Sequence, residues 1–126
     1  MSRVCVIGGG PAGTVFALRM AQLGHAVTLV ERAAFPRRRL GEALTPGVLP
    51  LLESVGAGDV PDRAGARPIA RIRHLWDGPA RWRVDPDAAG VTVDRGRLDA
   101  LLVERAHAAG VEVLQPARVL EQVETA

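Results

Sequence analysis

The chain has 126 residues, 48% of them hydrophobic, which suits one packed domain and excludes a disordered chain. Its 16 basic residues are all arginine and are interleaved with 14 acids for a net charge of +2, and aromatics are only 3%, so neither a basic nucleic-acid face nor a base-stacking platform is present. The single cysteine, Cys5, allows no internal disulfide and reads as a small buried residue, which fits a reducing cytoplasm. There is no sign of a signal peptide, and no run approaches the roughly 18 apolar residues of a membrane helix.

Residues 3–7 (RVCVI) are β-branched and almost wholly apolar, as in a strand buried on both faces of a parallel sheet. Glycines 8–10 end it. Pro11 then stands where a first helical turn tolerates a missing N–H, and residues 11–23 carry Val15, Leu18, Ala17 and Ala21 at helical spacing up to a stop at Gly24. A second strand covers 26–30 (AVTLV), giving a βαβ pattern. Residues 32–45 form a basic, Pro- and Gly-containing connection. A short helix follows within 46–56, starting at Thr45-Pro46 or at Pro50, with Leu49, Leu52 and Val55 on one side.

Residues 57–68 read as loop, 69–76 and 80–84 as strands, Pro86–Gly90 as a turn and 91–93 as a further strand. The clearest helix is 96–109, with Leu98, Leu101, Leu102, Arg105 and Ala106 sharing a face and Gly110 closing it. A strand is expected at 111–114, and another begins within 117–123. The expected fold is therefore α/β: a Rossmann-like βαβ unit around a parallel sheet, with a small β-rich insertion.

Gly8, Gly10 and Gly13 fit G-x-G-x-x-G between a strand and a helix. Gly8 permits the tight turn, Gly10 lets backbone approach a diphosphate, and Gly13 allows the helix to pack against the strand. With Pro11 and Ala12 opening the helix, its positive end would face that anion. Glu31 ends the second strand eighteen residues after Gly13, where its carboxylate can accept hydrogen bonds from an adenosine ribose and would repel a 2′-phosphate. This clamp alone does not separate FAD from NAD. The run Arg37-Arg38-Arg39 admits two readings, a solvated loop or an anion-contacting one. His25, His74 and His107 lack metal-ligand spacing, so no metal is assigned.

The stretch GGGPAG with Glu31-Arg32 resembles the start of the FAD-binding domain of flavoprotein monooxygenases of the para-hydroxybenzoate hydroxylase type. RLGEALTPGVLPLLESVG (39–56) is similar to the G-E-[AS]-x-x-P segment of flavin-dependent halogenases and halogenase-like monooxygenases, and VTVDRGRLDALLVERAHAAGVEV (91–113) to the second conserved segment of the superfamily. The resemblance implies FAD as cofactor, with Gly8, Gly10 and Gly13 at its diphosphate, Glu31 at the ribose and Arg32 near the adenine. It puts Gly41 and Glu42 in a loop beside the flavin, and has Arg95 reach the diphosphate region, the alternative for Arg95 being a salt bridge to Asp94 or Asp99. Asp99 is expected to cap or brace its helix.

The chain departs from the tryptophan halogenases in having no lysine and no W-x-W-x-I-P motif, so the resemblance implies oxygenation of a small-molecule substrate ahead of halogenation. The electrons would come from NAD(P)H or a separate flavin reductase. Gly58-Asp59 does not stand where the superfamily's ribityl-binding Gly-Asp does, so residues 1–126 are expected to be the N-terminal part of an FAD-binding domain, without the later FAD-binding segment or the substrate domain. Two alternatives remain open: a non-catalytic or truncated nucleotide-binding module, and a fragment of an NAD-dependent dehydrogenase.

Overall fold

The computed structural model describes residues 1–83 and 89–123. The expected turn at Pro86–Gly90 lies largely outside the described residues. The chain divides into two units, Met1–Arg38 with Asp99–Ala126, and Arg39–Leu98.

The first unit is Rossmann-like. Strand β1 (Arg3–Ile7) leads through the glycine loop into helix α1 (Pro11–Gln22) and then into β2 (Ala26–Val30). β1 and β2 pair in parallel from Arg3↔Ala26 to Ile7↔Val30, and β8 (Glu112–Leu114) joins the other edge of β2 in parallel. Every expected element of the βαβ stretch is found, because the apolar run, the glycine stop and the N-terminal proline all favour the same path.

Ala17 and Leu18 of α1 are buried, as are Val6, Val27 and Leu29 of the strands. Val6 stands between exposed Cys5 and Ile7, while Thr28 and Val30 of β2 are half-buried, which corrects the expectation that β1 is buried on both faces. Cys5 is exposed, and so is Ile7 at 65%. β1 stands at one end of the order β1-β2-β8, with one of its faces buried among the described residues.

The second unit holds two small antiparallel sheets. β7 (Val91–Val93) lies between β3 (Glu42–Leu44) and β4 (Arg67–Pro68), while β5 (Ile72–His74) and β6 (Arg81–Arg83) form a hairpin shorter than the expected strands. Helix α2 (Val48–Ser54) starts between the two expected positions. Pro50 is its third residue, where an amide would have no intrahelical acceptor, so the ring costs no hydrogen bond. The expected loop at 57–68 instead contains α3 (Val60–Arg63) and β4. Pro61 looks like a breaker in sequence but lies in the first turn of α3, and Val60, Ala57 and Ala64 are buried around it.

Helix α4 (Arg95–Ala108) begins with the last residues of the second unit and continues in the first. Its buried stripe is Leu98, Asp99, Leu102, Val103 and Ala106. The expected face therefore turns slightly, leaving Leu101 and Arg105 half-buried and bringing Asp99 inside. Asp99 braces the helix rather than capping it. The cap is Asp94, whose Oδ1 accepts from the Arg97 amide over 2.9 Å. No strand forms over the described part of 117–123. Past Pro116 the chain leaves the ladder, and the Ala117 amide donates to the Glu31 carbonyl over 2.8 Å. Among the described residues, no helix is long and apolar enough to cross a membrane.

Candidate functional site

The parallel strands of the first unit end at a cleft of about 400 Å³, lined by Ile7, Gly8, Gly10, Glu31, Arg32 and Arg37, with 117–119 along it. Open α/β sheets bind ligands at such carboxyl ends. The Gly8 amide donates to the Val30 carbonyl over 2.8 Å, and Gly8 then turns with a φ of +106° that a side chain would disfavour. Gly10 ends the turn in extended conformation as the N-cap of α1, and Pro11 opens the helix.

A Cβ at position 13 would collide with the Gly8 carbonyl oxygen, so glycine there is what lets helix and strand approach. Thr14, fully buried, donates its hydroxyl back to the carbonyls of Gly10 (2.9 Å) and Gly9 (3.1 Å), pinning the loop to the helix. The first helical turn carries no acid. Its leading amides lack carbonyls one turn earlier, and Pro11 has none to offer, so those of Ala12 and Gly13 stand at the positive helix end.

Glu31 lies across this loop and is only 4% exposed. Its Oε2 accepts from the Gly9 amide (2.7 Å) and its Oε1 from the Ala33 amide (2.8 Å). Burial pushes the carboxyl up, but the Ala33 and Gly9 amides and the charges of Arg37 and Arg32 outweigh it, leaving the group below its ordinary value of 4.5. Each oxygen keeps acceptor capacity beyond its single amide bond, and Glu31 borders the cleft. The N-terminal end of α1 at Gly10 and the ionised Glu31 therefore border one cleft, and this set of donors and acceptors fits an adenosine diphosphate moiety.

Of the residues expected from the sequence, Gly8, Gly10, Glu31 and Arg32 line this cleft, and Pro11, Ala12 and Gly13 form the adjoining first turn of α1. Sequence reasoning missed Thr14 and the cleft residues Ala117, Arg118 and Val119, which it had read as strand. It left Arg37 undecided within its arginine run.

The other expected residues gather in the second unit. Arg95 Nη1 donates to Oε2 of Glu42, an acid other than the Asp94 and Asp99 named in the salt-bridge alternative. A Cβ at Gly41 would stand 3.2 Å from the Val93 carbonyl oxygen, keeping the loop close to β7.

The FAD binding domain family matches residues 1–126. A tryptophan 2-halogenase of Chondromyces crocatus is 34% identical over 118 residues, 90% of this chain and 22% of the relative. A 6-methylpretetramide 4-monooxygenase of Streptomyces rimosus is 38% identical over 112 residues, 83% of this chain and 27% of the relative. Among solved structures, the flavin-dependent halogenase CmlS superposes with a TM-score of 0.76 at 35% identity, over 89% of this chain and 22% of that one. The chain thus spans about a quarter of the length of the curated relatives it matches.

Proposed function

The chain belongs to the FAD binding domain family, which makes FAD its cofactor, and we propose that it forms the adenosine-side part of a flavoprotein monooxygenase. The observation that carries this reading is the pairing of Glu31 with the glycine loop at the mouth of α1. Gly8, Gly10 and the opening turn Pro11-Ala12-Gly13 would hold the diphosphate by backbone amides and helix dipole. Glu31 would accept from the ribose hydroxyls, and Arg32 would lie against the adenine. By the resemblance, Gly41 and Glu42 would lie beside the flavin and Arg95 would serve the diphosphate, where a guanidinium suits an anion.

FAD supplies the redox chemistry when bound, activating oxygen after reduction. This chain's residues bind and orient it. The electron source would be NAD(P)H or a separate flavin reductase, the substrate a small organic molecule, and the setting the cytoplasm. The ribityl-binding segment and the substrate domain would be supplied outside these 126 residues.

Halogenation is the second reading, favoured by relatives named as halogenases. The absence of any lysine from the chain weighs for oxygenation, because the tryptophan-type halogenases that it resembles use one. A dehydrogenase fragment is disfavoured by the antiparallel sheets of 39–98, which interrupt βα alternation. The test is thermal protection of the chain by FAD, ADP and NAD. FAD and ADP are expected to raise the melting temperature. Protection by NAD without protection by FAD overturns the assignment.

A further inference from the structure

Arg38 and Arg39 are exposed, but the Arg37 side chain is only 19% exposed. Its Nη1 stands 3.6 Å from Oε1 of Glu31, and its Nη2 donates to Oδ2 of Asp99 over 3.3 Å. The Phe35 ring lies 4.8 Å from the guanidinium carbon. Asp99 is fully buried in the stripe of α4, so it is the fixed end of the bridge, while Glu31 is the end that borders the cleft. Nε of Arg37 is buried with no hydrogen-bond partner. A solvated loop would not bury a guanidinium with one donor unsatisfied, and a planar fork is the side chain suited to touch two carboxylates at once.

We propose that Arg37 is a positioning residue of the ribose clamp: anchored on Asp99, it holds the Glu31 carboxylate turned into the cleft and so sets the affinity for the adenosine half of FAD. The proposal rests on the reading of Glu31 as ribose acceptor. The Asp99 anchor explains why an acid occupies a helix face that is otherwise apolar. A buried acid persists when paired, and its pair here is the residue that steadies the ligand-facing acid.

The test uses the full chain, with FAD and ADP as ligands and melting temperature as a separate readout. Arg37→Met removes the guanidinium that contacts buried Asp99 and is expected to lower the melting temperature as well as affinity for both ligands. Arg37→Met with Asp99→Asn removes both members of the buried pair, so the melting temperature should recover while affinity stays about tenfold low. The affinity of the double variant should also fail at higher pH on acidification. Glu31 would have lost the Arg37 charge and kept only Arg32, with Arg118 elsewhere on the cleft and no charged group on the glycine loop.

Arg37→Lys keeps the charge and the fold but cannot span two carboxylates, and should lose affinity about threefold. Wild-type affinity with an unmoved acid limb in the double variant, or wild-type affinity in Arg37→Lys, overturns the proposal. If the wild-type chain binds FAD and ADP while the variants match it, only the role of Arg37 fails. If the wild-type chain binds neither, the reading of Glu31 fails first and takes this one with it.

Discussion

The amide of Gly9 donates to Oε2 of Glu31 over 2.7 Å, joining the middle of the glycine loop to the tip of β2. The glycine loop and the acid at the strand tip are thus one hydrogen-bonded object. If the cleft takes a nucleotide as proposed, this bond spares the ligand the entropy of ordering the loop and the acid separately.

Glycines 9 and 13 should respond differently to the same added methyl group. At position 9 a Cβ would stand 3.0 Å from Cβ and 3.3 Å from Oε2 of Glu31, so Glu31 would have to shift by a few tenths of an ångström. At position 13 it meets the Gly8 carbonyl, which is backbone and cannot swing away. Gly9→Ala is expected to weaken FAD binding severalfold with little loss of stability. Gly13→Ala should cost about 1–3 kcal/mol, as overpacking does, and abolish binding. Urea unfolding and FAD titration of both variants check this.

Glu31→Gln removes the charge and puts an amide donor where the Gly9 or Ala33 N–H needs an acceptor. FAD affinity should fall by about 10- to 100-fold, the worth of a hydrogen bond to a charged group. The carboxyl lies below 4.5 in the folded chain, so its contribution to stability is complete above that value and is lost as pH falls through the lower folded value. The gap in unfolding free energy between wild type and Glu31→Gln should therefore be widest near neutrality and narrow on acidification below 4.5. A gap independent of pH would contradict the assigned ionisation.

The contrast between Glu31 and Arg37 shows what sequence can and cannot encode. Glu31 was legible because strand, loop and helix lie within one stretch and each local signal supports the others. Arg37 and Asp99 are 62 residues apart, and no periodicity joins them. A signal existed even so: Asp99 follows Leu98 on the apolar stripe of the clearest helix, and a buried acid needs a cation. The short elements β3, α3 and β4 were missed for a related reason. They span three, four and two residues, and β3 and β4 are held by pairing with β7 rather than by a pattern of their own.

The ion pair of Arg95 with Glu42 offers a third check. The Glu42 side chain is 46% exposed, so the pair contributes little to stability, on the order of 0–1 kcal/mol. Glu42→Gln should leave the melting temperature nearly unchanged. If Glu42 orients Arg95 toward the diphosphate, the same variant weakens FAD binding severalfold, and Arg95→Met weakens it further. Equal affinity in all three proteins would assign the pair to the surface alone.

Asp94 separates fold from site on the neighbouring residue. Its Oδ1 accepts from the Arg97 amide, and its backbone amide donates to the Ala64 carbonyl over 3.1 Å, so the residue both starts α4 and ties it to the end of α3. Asp94→Ala deletes the side-chain cap and leaves the backbone tie. It should cost about 1 kcal/mol, and lower the melting temperature by about 4 °C in a chain of this size. Asn caps helices as well as Asp does, so Asp94→Asn should recover most of that loss, apart from a few tenths of a kcal/mol of charge at the positive helix end. Scanning calorimetry of the two variants distinguishes a cap from a charge effect. A loss in Asp94→Asn as large as in Asp94→Ala would mean that the carboxylate acts through its charge and not by closing the first turn.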